Sequence, residues 1–245
     1  IYDVIRGSDP RDSTSVSAPP KKEHARENRT LGVPEQFLTE GVDQDVLDNF
    51  NTSIGVLKNL GYTIRPIELP SLKYALPVYY IVMPAEASSN LARYDGIHYG
   101  YRNKEAATIN DVYLMSRTNG FGKEVKRRIM LGTFVLSEGY FDAYYTKAQQ
   151  VRRLIKNATD KILENYEFIL LPTTPGTAFK IGAKTKDPIQ MYLEDIFTVQ
   201  APLAGNPAIS LPIGKHSNGM PFGIQIIGKR FDEHNLLAFS KYLMN

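Results

Sequence analysis

The stretch ALPVYYIVMPAEASSNLARYDGIHYG occupies residues 75–100 and organises the rest of the chain. Its apolar residues alone would suffice to bury a helix, yet hydrogen-bonding side chains crowd between Tyr79 and Asp95. These side chains are Tyr79, Tyr80, Glu86, Ser88, Ser89, Asn90, Arg93 and Asp95. Because that density of donors and acceptors is unusual for a core helix, we predict that the stretch forms one wall of a binding site.

The composition excludes several classes of protein. The 245 residues are 42% apolar and 22% charged, with a formal charge of +3, which is far from the strongly basic character of proteins that bind nucleic acid unaided. The chain has no cysteine, so disulfides, cysteine metal sites and thiol catalysis are excluded. No apolar run approaches the roughly 20 residues that span a bilayer. We therefore expect a cytoplasmic protein that makes no contact with a membrane.

Alternating periodicities predict an α/β fold. A short strand at 31–34, a helix at 43–61 and a strand at 62–69 have the order of a parallel crossover unit. Pro77 and Pro84 are expected to kink or divide the helix that follows. The remaining predicted elements are helices at 110–118, 123–136, 138–165 and 233–243, strands at 168–171, 208–213 and 223–227, and a loop at 172–188.

Two further segments support a family resemblance. They are GFGKEVKRRIMLGTFVLSEGYFDAYY at residues 120–145 and PFGIQIIGKRFDEHNLL at residues 221–237. With residues 75–100, and in the same order, they resemble the A subunits of bacterial glutamyl-tRNA(Gln) amidotransferases, which belong to the amidase-signature family. The likeness extends over nearly all 245 residues.

The resemblance implies an amidase-signature fold, a mixed sheet flanked by helices, which is incomplete in this chain. Residues 1–245 would be the C-terminal portion of a single domain, with a helical insertion at about 70–165. The family's catalytic Ser-Ser-Lys lies in Gly- and Ser-rich segments upstream, and no Gly-Gly-Ser-Ser-type stretch occurs here. We therefore expect no catalytic residue in this chain, and expect the chain alone to be inactive.

Arg128 is the first candidate binding residue. At about 100° per residue, it lies near the apolar face of its predicted helix while Arg127 points to the opposite side. A planar guanidinium can hold a carboxylate through two parallel bonds. The alternative is an arginine stem lying along apolar surface with its charge in water. The resemblance favours the first interpretation, in which Arg128 binds the α-carboxylate of glutamine.

Asp195 and Tyr79 are the other two candidates, and both depend on the resemblance. The sequence alone does not choose between Asp195 and Glu194, and two solvated surface acids are the ordinary alternative. The sequence alone does not distinguish Tyr79 from Tyr80 as the tyrosine that contacts a ligand, and either ring would also fit an apolar core. The family places the acid that binds the glutamine ammonium at Asp195, and a tyrosine that contacts glutamine at Tyr79.

Other chemically capable residues are interpreted as structural. Ser88 and Ser89 lie in a helical context without a neighbouring glycine, so helix packing is preferred over a nucleophile. The histidines show no metal-ligand spacing, and we expect each to be a surface or loop residue. No Walker-type or GxGxxG element occurs. The sequence therefore predicts neither a metal site nor a nucleotide cofactor in this chain.

The resemblance implies a glutaminase that supplies ammonia for converting Glu-tRNA(Gln) to Gln-tRNA(Gln), with this chain recognising glutamine. The implied partners are subunits B and C of a heterotrimer. ATP and Mg²⁺ would be used by the partner subunit, and Glu-tRNA(Gln) would be bound mainly by the B protein of the complex. The alternatives are another amidase-signature amide hydrolase, or a non-catalytic binding or scaffold fragment.

Overall fold

The computed structural model of the chain describes residues 1–17, 29–38, 41–183 and 188–244. The α-helices in these ranges are α1 Tyr2–Ile5, α2 Gln44–Asn59, α3 Ala75–Asn90, α4 Ile109–Gly120, α5 Lys123–Val135, α6 Lys147–Asn165, α7 Pro188–Leu193, α8 Gln200–Ala204 and α9 Glu233–Met244. The strands are β1 Thr30–Val33, β2 Thr63–Pro66, β3 Phe168–Pro172, β4 Ala208–Lys215 and β5 Pro221–Ile227.

The chain divides into two compact units. The first contains the strands and comprises Ile1–Glu68, Thr159–Asp187 and Gly205–Asn245; we call it the sheet unit. The second comprises Leu69–Ala158 and Pro188–Ala204, and we call it the helical unit.

A five-stranded mixed sheet in the order β2-β1-β3-β5-β4 forms the centre of the sheet unit. Strand β1 runs parallel to both β2 and β3, whereas β5 is antiparallel to β3 and β4. All five residues of β3 are buried, as expected of a strand covered on both faces. The predicted α/β class with a mixed sheet is confirmed.

The crossover from β1 through α2 to β2 follows from local sequence. Asp43 precedes α2, and its carboxylate accepts the backbone N–H of Asp45 at 2.9 Å, which caps the helix. The apolar face of α2 buries Val46, Phe50 and Leu57. Because β1 and β2 are parallel neighbours, the predicted strand–helix–strand unit is confirmed. Strand β2 is shorter than the predicted strand at 62–69.

In the helical unit, α3 packs against α5 at Gly132. A Cβ atom there would overlap the main-chain carbonyl of Pro84, so only glycine permits the approach. The helix expected to be kinked or divided at Pro77 and Pro84 is not divided, because α3 continues from Ala75 to Asn90. Pro77 lies in the first turn, where a backbone N–H has no acceptor within the helix. Pro84 lies inside the helix.

Other boundaries also differ from the predicted ones. The helix expected at 138–165 is a π-helical turn, Phe141–Thr146, followed by α6. The loop expected at 172–188 ends at Pro188, which begins α7, and its residues 184–187 lie outside the described ranges. Helix α8 was not predicted. Among the residues that the structure describes, no helix combines the length and apolar character needed to cross a bilayer.

Candidate functional site

The helical unit brings the candidate residues together. Tyr79 and Tyr80 lie on α3, Arg128 lies on α5, and Asp195 lies in the turn after α7. Tyr80 is one helical turn before Pro84, and Arg128 is one turn before Gly132. The close approach of α3 and α5 therefore places the guanidinium near the tyrosine pair.

Arg128 is held from within its own helix. Its Nε donates to Oε1 of Glu124 at 2.9 Å, and its side chain is 31% exposed. A second donor, Nη1, lies 3.5 Å from the sulfur of Met83. Partial burial by itself lowers the pKa of Arg128, but the Glu124 carboxylate, and after it Tyr79, raise that pKa above its usual value. The guanidinium is therefore a fixed positive charge.

Tyr80 connects the two charged groups of the cluster. Its hydroxyl donates to Oδ2 of Asp195 at 2.7 Å, and the Arg128 guanidinium carbon lies 6.0 Å from the centre of its ring. Burial, and next the hydrogen bond and charge of Asp195, raise the pKa of Tyr80 well above its usual value. The hydroxyl therefore stays protonated and acts as a donor at physiological pH.

Tyr79 lies beside both Tyr80 and Arg128. Its ring meets the Tyr80 ring edge to face, with centroids 5.0 Å apart and an interplanar angle of 86°. It also raises the pKa of Arg128 through its hydroxyl. The structure thus places Tyr79, Arg128 and Asp195 around Tyr80, the residue that the sequence left as an equal alternative to Tyr79.

Chemically, the arrangement presents a cation near the ring of Tyr80 and an anion at its hydroxyl. An α-amino acid carries the opposite pair of charges on one carbon atom. A guanidinium suits its carboxylate and an acidic side chain suits its ammonium group. The cluster therefore has the donor and acceptor set needed to hold a zwitterion.

Three supporting residues were missed by the sequence reasoning. Glu124 has a clear signal, because acids and arginines at i and i+4 on a helix form ion pairs. Tyr192 stacks on Tyr80 with ring centroids 4.1 Å apart. Like Met83, it has no signal in the sequence, because its role depends on how separate helices pack.

Ser88 and Ser89 lie near the end of α3. The Ser88 hydroxyl donates to the carbonyl of Ala85 in the same helix at 2.9 Å, a bond that serine often makes inside helices. Ser89 is exposed. This geometry supports a structural interpretation of the pair.

The sheet unit contains a cluster that sequence spacing did not reveal. Asp43, Asp45 and His216 place their potential ligand atoms within 4.8 Å of one another. However, Nδ1 of His216 accepts the backbone N–H of Asn218 at 3.0 Å, so the ring proton is on Nε2, which lies 3.1 Å from Asp43. A protonated Nε2 has no lone pair for a metal. The cluster therefore suits a hydrogen bond that links the hairpin turn to the α2 cap.

Comparison with known proteins gives consistent results. Residues 1–237 match the family model described as Amidase. The A subunit of the glutamyl-tRNA(Gln) amidotransferase of Pelagibacter ubique (strain HTCC1062) is 50% identical over 243 residues, covering 97% of this chain and 50% of the relative. The corresponding protein of Staphylococcus aureus (strain bovine RF122 / ET3-1) is 48% identical over 241 residues, covering 96% and 50%. The chain thus spans about half the length of the curated relatives it matches.

Solved structures agree with this assignment. The crystal structure of the A subunit of the glutamyl-tRNA(Gln) amidotransferase from Thermotoga maritima superposes with a TM-score of 0.68 at 39% identity, covering 94% of this chain and 46% of that chain. An allophanate hydrolase of Kluyveromyces lactis, at 20% identity and a TM-score of 0.75, covers 99% of this chain and 36% of that chain, and it shares the fold. The match to the family model and these relatives show that the chain belongs to the amidase family.

Proposed function

We propose that this chain is the glutamine-recognition part of the glutaminase subunit of a Glu-tRNA(Gln) amidotransferase. The observation that carries the proposal is the cluster in which Tyr80 contacts both Arg128 and Asp195. The two relatives of about half identity, both named as the A subunit of that enzyme, support it.

Each residue has a defined role in the proposal. Arg128 binds the α-carboxylate of glutamine through its terminal nitrogens, since Glu124 holds Nε. Asp195 accepts hydrogen bonds from the α-ammonium group. Tyr79, beside Arg128, contacts the bound amino acid with its hydroxyl and ring. Glutamine fixed at one end in this way presents its side-chain amide in a single orientation, which lowers the entropy cost of reaction.

The reaction itself is acyl transfer. A serine outside this chain, activated by a second serine and a lysine, attacks the side-chain amide carbon, and ammonia leaves. Water then hydrolyses the acyl ester and releases glutamate. This chain supplies binding and orientation, and the groups that break the bond come from the remainder of the protein.

The ammonia is used by partner subunits. In the proposed complex with subunits B and C, the partner uses ATP and Mg²⁺ to activate Glu-tRNA(Gln), and ammonia converts it to Gln-tRNA(Gln). Glu-tRNA(Gln) is bound mainly by the B protein of the complex, and this chain requires no cofactor of its own.

Ammonia release from L-glutamine tests the proposal. The full-length protein that contains this chain, purified with its partner subunits, is expected to release ammonia from L-glutamine. Residues 1–245 alone are expected to release none. Release by the isolated residues would contradict the proposal that the groups that break the bond lie outside this chain. A full-length protein that prefers another amide over glutamine would identify a different amide hydrolase of the family.

A further inference from the structure

We infer that Tyr80 is a positioning residue that orients Asp195 for the substrate ammonium group. The inference rests on the proposed function, because it concerns how the same site distinguishes glutamine from an amide without an amino group. The role differs from that of Tyr79, which is proposed to contact the substrate itself.

The Tyr80 ring is fixed on two sides. Tyr192 packs on it at a centroid distance of 4.1 Å and an interplanar angle of 34°. Tyr79 meets it edge to face at 5.0 Å and 86°. A ring held in this way has little freedom to rotate, so its hydroxyl is a donor at a fixed point in the cluster.

That fixed donor determines which way the Asp195 carboxylate faces. Oδ2 accepts the hydroxyl at 2.7 Å, and a carboxylate has a second oxygen with its own lone pairs. Binding Oδ2 therefore restricts the rotation of the carboxylate and leaves Oδ1 as the acceptor for the ammonium group. Without the Tyr80 hydroxyl, the carboxylate would rotate among several orientations.

Arg128 and Asp195 each have a partner other than the opposite charge of the pair. In a partly buried site, a guanidinium and a carboxylate attract each other strongly, and a direct ion pair would consume the groups that glutamine needs. The Arg128 guanidinium carbon lies 6.0 Å from the Tyr80 ring centre, while Glu124 holds its Nε. The Tyr80 hydroxyl binds one oxygen of Asp195 and the Glu124 carboxylate binds Nε of Arg128, so the second oxygen and the terminal nitrogens are left for the two ends of one zwitterion.

The test compares two substrates in the full-length protein with its partner subunits. One is L-glutamine, and the other is 4-carbamoylbutanoate, which is glutamine without its α-amino group. The variants are Tyr80→Phe, Asp195→Asn and the double variant, with Tyr113→Phe as the matched control because Tyr113 is an exposed tyrosine on α4. Ammonia release gives KM and kcat for each pair.

Tyr80→Phe is expected to raise the KM for L-glutamine about 10-fold, the size expected for a lost hydrogen bond to a charged group. Its kcat should change less than about 2-fold, and so should both constants for 4-carbamoylbutanoate. In the Asp195→Asn background, Tyr80→Phe should have almost no further effect, because the two residues act as one unit. Tyr113→Phe should leave both substrates unaffected.

Tyr192→Leu is the second variant, because it removes the stacked ring and keeps the Tyr80 hydroxyl. It should raise the KM for L-glutamine less than Tyr80→Phe does, and it should again leave the KM for 4-carbamoylbutanoate nearly unchanged. If Asp195→Asn raises the KM for L-glutamine but Tyr80→Phe and Tyr192→Leu do not, the inference is overturned while the proposed function stands. If Tyr80→Phe raises the KM equally for L-glutamine and for 4-carbamoylbutanoate, the inference is overturned as well. A protein that does not distinguish the two substrates, or an Asp195→Asn variant without effect, contradicts the proposed function itself.

Discussion

The hydroxyl of Tyr80 lies 2.7 Å from Oδ2 of Asp195, although the two residues are 115 positions apart in the sequence. This bond joins α3 to the turn that follows α7. Arg128 approaches the same tyrosine ring from α5, so one aromatic side chain contacts both charged residues of the proposed glutamine site.

Replacing Arg128 with Ala should raise the KM for L-glutamine strongly. Truncating one partner of a desolvated, hydrogen-bonded charge pair costs about 2–5 kcal/mol, and the observed 31% exposure of Arg128 places the expected loss near the lower end of that range. The measurement is KM and kcat for ammonia release from L-glutamine by the full-length protein.

Arg127→Ala is the matched control, since Arg127 also pairs with Glu124, at 2.6 Å, but is 58% exposed. It should change the KM for L-glutamine less than about 2-fold, as exposed ion pairs contribute little. A similar rise in KM in the two variants would mean that Arg128 acts only by adding positive charge to the region and does not bind the carboxylate directly. An unchanged KM in Arg128→Ala would favour an arginine that merely covers apolar surface.

Gly132→Ala should destabilise the helical unit. The new methyl group would overlap the Pro84 carbonyl, and overpacking at a close helix contact typically costs about 1–3 kcal/mol. Gly55→Ala is the control, because Gly55 lies inside α2 with open space around it. Alanine there should stabilise by about 0.5–1 kcal/mol. Thermal unfolding measures both, and changes of the same sign would contradict the proposed helix contact.

Asp95→Asn should lower the melting temperature in a pH-dependent way. The His98 side chain, followed by the backbone N–H groups of His98 and Ile97, lowers the pKa of Asp95 below its usual value. A lowered folded-state pKa contributes stability above the ordinary carboxyl pKa of about 3.9 and loses it as pH falls further. The melting-temperature difference from the unsubstituted protein should be full at about pH 5–7 and shrink below about pH 4. A difference independent of pH across this range would contradict the assignment.

Mutation should change the melting temperature through the cluster of Asp43, Asp45 and His216, whereas added metal should not. His216→Ala removes the hydrogen bond to Asp43 and should lower the melting temperature. Added Zn²⁺ should leave the melting temperature of the unsubstituted protein unchanged, because a ligand that binds the native state would raise it. A zinc-dependent rise that disappears in His216→Ala would show that the cluster is a metal site.

The sequence predicted the sheet unit well where period and length agreed. The apolar run before Pro172 became the fully buried β3, and the predicted amphipathic helix is α2, which buries Val46, Phe50 and Leu57. The helical unit was harder, because the sequence does not show whether an interior proline such as Pro84 divides a helix or is accommodated within it. In α3, packing of Gly132 against the Pro84 carbonyl accompanies an unbroken helix, and that contact between distant segments has no local signal.

The candidate site was partly accessible from the sequence. Helical angles favoured Arg128 over Arg127, and Arg128 is indeed the less exposed of the two, at 31% against 58%. The choice of Tyr79 and Asp195 depended on family resemblance. The sequence alone does not distinguish Tyr79 from the adjacent Tyr80, or Asp195 from the adjacent Glu194. The sequence did not predict that Tyr80 contacts both Arg128 and Asp195, because these contacts require the packing of α3 against the turn that contains Asp195.

The central claim is that one site binds both charged groups of glutamine, the carboxylate through Arg128 and the ammonium through Asp195. The most direct measurement is kcat/KM of the full-length protein for L-glutamine, 4-carbamoylbutanoate and 4-aminobutanamide, which lacks the carboxylate. Arg128→Gln should impair only the two substrates with a carboxylate, and Asp195→Asn only the two with an ammonium group. If each variant impairs all three substrates equally, the two-ended recognition of glutamine is wrong.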